Sequence, residues 1–164
     1  MMKKLLCLMP YALCLMLFAC GFRPVYDADR RLQTSLRDIY IAPVSGTNGI
    51  DLRNALRAKW GTDNSTDARY TLRINLHNPQ TVLKALQITG DATWQEIRMN
   101  ANYELVDNET GETILTAFDT ASESYTFVSD LVAAQASYNN AVQNAIQVLA
   151  KKIETRVNAR LASR

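Results

Sequence analysis

From residue 68 the chain alternates. Tyr70, Leu72, Ile74 and Leu76 fall on one side, and Arg69, Thr71, Arg73 and Asn75 on the other. A period of two with one apolar side predicts a half-buried antiparallel strand. Pro79 cannot donate to a strand ladder, so a bulge or an edge position is expected there. The strand then resumes through Val82, Lys84, Leu86 and Ile88. Thr89-Gly90-Asp91 predicts a turn. Ile97, Met99, Ala101, Tyr103 and Leu105 next alternate against Glu96, Arg98, Asn100, Asn102 and Glu104. Asp107-Asn108-Glu109-Thr110-Gly111 predicts a second hairpin turn, followed by a weaker strand over 112–121 and a connector over 122–129.

Helical spacing flanks this meander. Asp38 to Val44 is β-branched and aromatic and predicts a short strand. Asn48-Gly49 then offers a cap, Ile50, Leu52, Leu56 and Trp60 recur at helical spacing, and Gly61 stops the run. Thr62 to Asp67 reads as polar loop. Near the other end, Leu131, Ala134, Tyr138, Ala141, Val142, Ala145, Ile146, Leu149, Ile153 and Val157 step at three and four residues. Ser129 or Asp130 can cap that helix. Lys151, Lys152, Arg156 and Arg160 crowd its last turns, where cations suit the helix dipole. The order β-α-β-β-β-α predicts an α+β two-layer sandwich: a mainly antiparallel four-stranded sheet covered on one face by two helices.

The first 19 residues change the picture. Lys3 and Lys4 precede an apolar run from Leu5 to Phe18, shorter than the roughly 20 residues a bilayer-spanning helix needs. That layout is an export signal. Leu17-Phe18-Ala19-Cys20 resembles the bacterial lipobox, in which the cysteine sulfur receives a diacylglycerol and the freed amine an acyl chain. An ordinary cleaved signal with an incidental cysteine is the alternative. Cys7 and Cys14 lie inside the leader, so the mature chain keeps one cysteine and has no disulfide framework. The expected organisation is a signal peptide over 1–19, a lipidated tether over 20–35 and one domain over 36–164. Removing Lys3 and Lys4 leaves 16 basic against 16 acidic residues, which argues against nucleic acid as a partner. Two or more acyl chains give stable attachment where one is reversible, so a triacylated Cys20 anchors the chain to a membrane.

Catalytic constellations are nearly absent. His77 is the single histidine, so any general-base scheme reduces to it, and a histidine beside Asn78-Pro79 reads as a loop residue. No pair of His or Cys stands at metal-ligand spacing. Asp107, Glu109 and Glu112 suggest calcium, but Asn108 and Gly111 make a turn the commoner reading. The spacing of Asp119 and Glu123 is open at this level. Arg69, Arg73, Lys84 and Arg98 form a candidate basic stripe on the polar side of the sheet, suited to phosphate or carboxylate. The alternative is a solvated face balanced by Glu96 and Glu104. A binding or structural module fits these residues better than an enzyme.

Cys20-Gly21-Phe22-Arg23-Pro24-Val25-Tyr26 resembles the mature start of the lipopolysaccharide-assembly lipoproteins (the E component of lipopolysaccharide transport) in their alphaproteobacterial form. Arg69-Tyr70-Thr71-Leu72, the stretch Ile97 to Leu105, Ser122-Glu123-Ser124-Tyr125, Leu149-Ala150-Lys151-Lys152-Ile153 and Arg160-Leu161-Ala162 resemble further segments. The resemblance implies a plug inside a large outer-membrane β-barrel, the lipopolysaccharide translocon. Such a plug binds lipopolysaccharide, helps the barrel assemble and aids delivery of the glycolipid to the outer leaflet. It implies no cofactor beyond the covalent diacylglycerol and N-acyl chain on Cys20. Gly21 after the lipidated residue implies the periplasmic side of the outer membrane. The headgroup-contact candidates are Arg73, Lys84 and Arg98, since the turn at 89–91 carries an acidic residue and no basic one. The alternative function is an auxiliary lipoprotein of an ABC-type lipid transport system. Cys20→Ser is expected to leave a soluble or uncleaved protein that takes up no labelled palmitate; undiminished label overturns the lipid assignment.

Overall fold

The computed structural model describes residues 34–86, 93–127 and 130–163. Cys20 with its leader, the tether up to residue 33, the 89–91 turn and Ser129 lie outside them. The elements run β1 (Ile39–Ile41), α1 (Thr47–Trp60), β2 (Tyr70–Leu76), β3 (Gln80–Leu86), β4 (Thr93–Asp107), β5 (Glu112–Phe127) and α2 (Leu131–Ala162). All belong to one contact unit, residues 31–164. The α+β class and the helices on one face are as expected, but the sheet is mixed and has five strands rather than four. β1 is parallel to β2; every other pair is antiparallel.

The extra strand is the interrupted one. β5 pairs with β4 along its whole length, from Thr93↔Phe127 to Asp107↔Glu112, and so occupies one edge of β4. β2 and β3 therefore lie end to end on the other edge, opposite residues 101–107 and 93–98. Across the sheet there are four rows, with β2 and β3 sharing one. The break falls at His77 to Pro79, where the expected bulge forms, and the His77 N–H donates to the Asn100 carbonyl at 2.9 Å to keep the two halves aligned. A second register shift sits between Leu83 and Ala85.

Residues 122–127 correct the expectation of a connector over 122–129, because β5 continues to Phe127. Ala121 and Tyr125 are buried, and β4 begins at Thr93 rather than Ile97, so each residue to 127 has a partner. Small and polar residues conceal a strand whose pairing is dictated by its neighbour.

Both helices cover the apolar side of the sheet. Leu52, Leu56 and Trp60 of α1 share one core with Ile39, Ile41, Tyr70, Leu72, Ile97, Met99 and Leu105. Ala141, Ala145, Ile146, Leu149, Ile153 and Val157 of α2 complete it. Two sequence expectations need adjusting. Ile50 is exposed, and α1 starts at Thr47 with Gly46 as N-cap and no side-chain cap. Gly49 instead packs on Val44, where an added Cβ would sit 2.8 Å from the Val44 Cγ1 atom. Leu131 also points away from the core at 79% exposure. The expected stops hold: Gly61 ends α1 at φ 59°, and the Asp130 side chain caps α2 by accepting from the Ala133 N–H at 2.9 Å.

The β1 edge is closed from outside. Asn64 Oδ1 accepts the Ile41 N–H at 2.7 Å, and Arg53 Nε donates to the Ile41 carbonyl at 3.0 Å. The Thr62 hydroxyl lies 2.9 and 2.8 Å from the carbonyl oxygens of Arg37 and Ile39. A short, covered edge strand does not recruit other strands. Leu149→Ala, at a fully buried position under α2, is expected to cost about 2–5 kcal/mol, read as a lower urea midpoint with an unchanged slope.

Candidate functional site: the polar face of the sheet

Because side chains alternate along a strand, burying Ile97, Met99, Ala101, Tyr103 and Leu105 turns their neighbours outward. The outer face carries Thr71, Arg73 and Asn75 from β2, Trp94, Glu96, Arg98, Asn100, Asn102 and Glu104 from β4, and Thr116, Phe118, Thr120, Ser122 and Ser124 from β5. Pairing places them in cross-strand rows: Arg73 beside Glu104 beside Thr116, and Asn75 beside Asn102 beside Phe118.

Of the candidate stripe, Arg73 and Arg98 are brought onto this face, and their charges are answered within the molecule. Arg73 Nη1 lies 3.0 Å from Glu104 Oε1. Arg98 Nη2 lies 2.9 Å from Glu96 Oε1, two residues away on the same strand. Lys84 falls in β3 at the register shift. Arg69 is drawn off to the β4–β5 turn, where it meets Asp107 at 3.6 Å and Glu109 at 3.3 Å. The buried Asp107 also organises that turn, accepting the Glu109 N–H at 3.2 Å, while Gly111 takes φ 72°.

Amides and hydroxyls fill the rest. The Thr120 hydroxyl donates to Asn100 Oδ1 at 2.9 Å. Asn102 Nδ2 lies 3.1 Å from His77 Nε2, so the one histidine joins this amide network at an exposed position. A shallow depression of about 290 Å³ is lined by Arg73, Asn75, Asn102, Glu104 and Thr116, among others. Two aromatic side chains interrupt the polar face: Trp94 at 50% and Phe118 at 53% exposure. The alternation of polar and apolar positions concealed both, since each sits at a position the period marks as polar.

The opposite side of β5 carries an ionic anchor. The Tyr103 hydroxyl donates to Asp119 Oδ2 at 2.7 Å, and Arg156 Nε reaches Asp119 at 3.0 Å. Asp119 thus pairs with α2 rather than with Glu123. Lys152 Nζ donates to the Thr120 carbonyl and Arg160 Nε to the Ile114 carbonyl, both at 2.6 Å. Residues 152, 156 and 160 stand four apart on one helix face, a spacing legible in the sequence but read there as dipole compensation alone. Burial, then the hydrogen bond to Asp119, raises the Tyr103 pKa well above the usual tyrosine value.

These features define a two-layer α+β domain: one sheet, helices behind it, and a wide polar face on which Arg73 and Arg98 are paired with carboxylates. The LptE lipopolysaccharide-assembly family matches residues 36–157. The chain belongs to that family, a family of lipoproteins with a role in lipopolysaccharide assembly. No curated protein matches the sequence. Among solved structures, a lipoprotein of Caulobacter crescentus superposes with TM-score 0.68 at 19% identity, covering 82% of this chain and 98% of its own. A minor lipoprotein of Acinetobacter baumannii gives 0.57 at 19% identity, covering 75% and 92%. Rare lipoprotein B of Shewanella oneidensis gives 0.56 at 14%, covering 74% and 93%. At these identities the likeness establishes the fold.

A raised folded pKa means the neutral phenol is favoured in the folded state. Its stabilisation is complete below the unfolded value near 10 and is lost as pH rises past it. Tyr103→Phe is expected to be about 0.5–1.5 kcal/mol less stable at neutral pH. Its stability should decline less steeply than the wild type's above about pH 10. Urea midpoints at neutral and alkaline pH check both.

Proposed function

We propose that this chain is an outer-membrane lipoprotein held on the periplasmic side through acylated Cys20. It plugs and helps assemble the β-barrel lipopolysaccharide translocon, and it aids delivery of the glycolipid to the outer leaflet. The observation that carries the reading is the polar face, in which Arg73 with Glu104 and Arg98 with Glu96 cancel one another among asparagines and threonines. Large barrels have polar interiors. A surface that presents hydrogen-bonding groups without net charge suits such a wall, and membership in a lipopolysaccharide-assembly family supports it.

Lipopolysaccharide contact belongs to the same face. Headgroup phosphates exchange for the carboxylates of Glu104 and Glu96 on Arg73 and Arg98, with Lys84 as the third cation. Detergent extraction of the tagged full-length chain is expected to bring down a large barrel protein in roughly equal amount. Phe118→Glu should lower that yield at least about fivefold, equivalent to about 1 kcal/mol, at an unchanged melting temperature. A barrel-free, monodisperse lipoprotein overturns the plug reading. Arg73→Ala, Lys84→Ala and Arg98→Ala together should weaken lipopolysaccharide binding without unfolding; equal binding makes the stripe a solvated face.

A further inference from the structure

Phe118 is an open aromatic ring among amides and hydroxyls, and the register fixes its surroundings. Asn102 lies directly beside it on β4, and Asn75 beyond that on β2. Thr116 is the preceding outward residue of β5, in the row that also holds Glu104 and Arg73. The depression of about 290 Å³ spans these two rows: Arg73, Glu104 and Thr116 line it from one, Asn75 and Asn102 from the other. Phe118 therefore stands next to it on the β5 side, at 53% exposure. A lone exposed ring is ordinary. This one borders a concave set of polar groups that are open.

Among the described residues, the Asn75 amide and the Thr116 hydroxyl have no partner. Asn102 gives Nδ2 to His77 and keeps Oδ1. Arg73 sets Nη1 against Glu104 Oε1 at 3.0 Å, which leaves its other N–H groups and the second carboxylate oxygen of Glu104. Donors and acceptors are thus mixed, and that mixture selects the ligand. A phosphate only accepts, and it has to displace Glu104 to reach Arg73. A cation meets Arg73 beside the carboxylate. An apolar group leaves the amides without partners, at a cost in desolvation.

A sugar ring answers every group as it stands. Each of its hydroxyls both donates and accepts. The paired Arg73 and Glu104 offer an N–H and a carboxylate oxygen side by side, which suits two neighbouring hydroxyls. The C–H face of the ring carries weak positive charge and lies against the negative face of an aromatic side chain. We infer that the depression beside Phe118 is a saccharide subsite that holds one neutral sugar ring of lipopolysaccharide. Phe118 is the platform; Asn75, Asn102 and the Arg73–Glu104 pair take the hydroxyls. The inference rests on the reading that lipopolysaccharide meets this face, and it adds a neutral contact to the charged ones.

The probe is the lipid-free oligosaccharide released from lipopolysaccharide and dephosphorylated, so that neither acyl chains nor phosphates contribute. It is titrated into the full-length chain purified in detergent. Saturation transfer to the sugar protons and the side-chain amide signals of Asn75 and Asn102 are read by NMR. Binding is expected, with both amides shifted. Phe118→Leu keeps an apolar side chain without the ring and should weaken binding at least about threefold, whereas Phe118→Tyr retains it. Asn75→Ala with Asn102→Ala should weaken it at least about tenfold. Trp94→Ala, at an exposed aromatic roughly 26 Å along β4 from Asn102, should leave it unchanged. All these positions are exposed, so melting temperatures should match the wild type's. Absence of binding, binding indifferent to Phe118→Leu and to the asparagine pair, or equal binding of maltohexaose overturns the inference. Intact lipopolysaccharide that binds where the oligosaccharide does not also overturns it but leaves the glycolipid contact standing, which tells the two failures apart.

Discussion

The constraint on which the structure depends is that β4 is paired with β5 along its full 15 residues and with β2 and β3 along its other edge, except at the break opposite Met99 and Asn100. A strand in that position cannot slip by one residue without exchanging its apolar and polar sets. Its alternation therefore fixes which side of every neighbouring strand meets the helices. β5 and the β2–β3 row inherit their registers from it. The outer face is polar for the same reason that the inner face packs: both are consequences of one alternating segment.

Electrostatics then divide the surface. Cations and carboxylates on the polar face are set opposite or two residues apart on strands, so that face offers amides and hydroxyls with its charge cancelled. Positive charge reappears at the rim of the sheet, where α2 projects Lys152, Arg156 and Arg160 over β5. Among the described residues only Arg156 meets an internal carboxylate there. The fold thus separates a broad neutral surface from a narrow basic edge. A lipoprotein that works in lipopolysaccharide assembly has two chemically distinct surfaces with which to meet its surroundings.

Much of the scaffold was legible in the chain. Ile97 to Leu105, Tyr70 to Leu76, Gly61, Gly111 and Asp130 behave as local rules require, because strand alternation, a left-handed residue and a capping carboxylate act over a few positions. The misreadings have a common origin. Ile50 and Leu131 fit helical spacing yet face outward, since spacing cannot reveal what lies opposite. Ser122 to Phe127 looks like a connector because its residues are small and polar. It is a strand because β4 is long enough to pair with it. Arg73 and Arg98 formed a stripe on paper, but register brings Glu104 and Glu96 to them.

The sequence by itself determined the alternation, the helical stripes and the turn residues, and hence an α+β layered fold with one apolar and one polar sheet face. These are short-range properties: a side chain's direction follows from the backbone period of its own segment. Only the tertiary structure decided that β2 and β3 share one edge of β4, that Asp119 joins Tyr103 and Arg156, and that Asn64, Arg53 and Thr62 seal the β1 edge. Each of those depends on groups tens of residues apart arriving within hydrogen-bonding distance, and no local pattern carries that information.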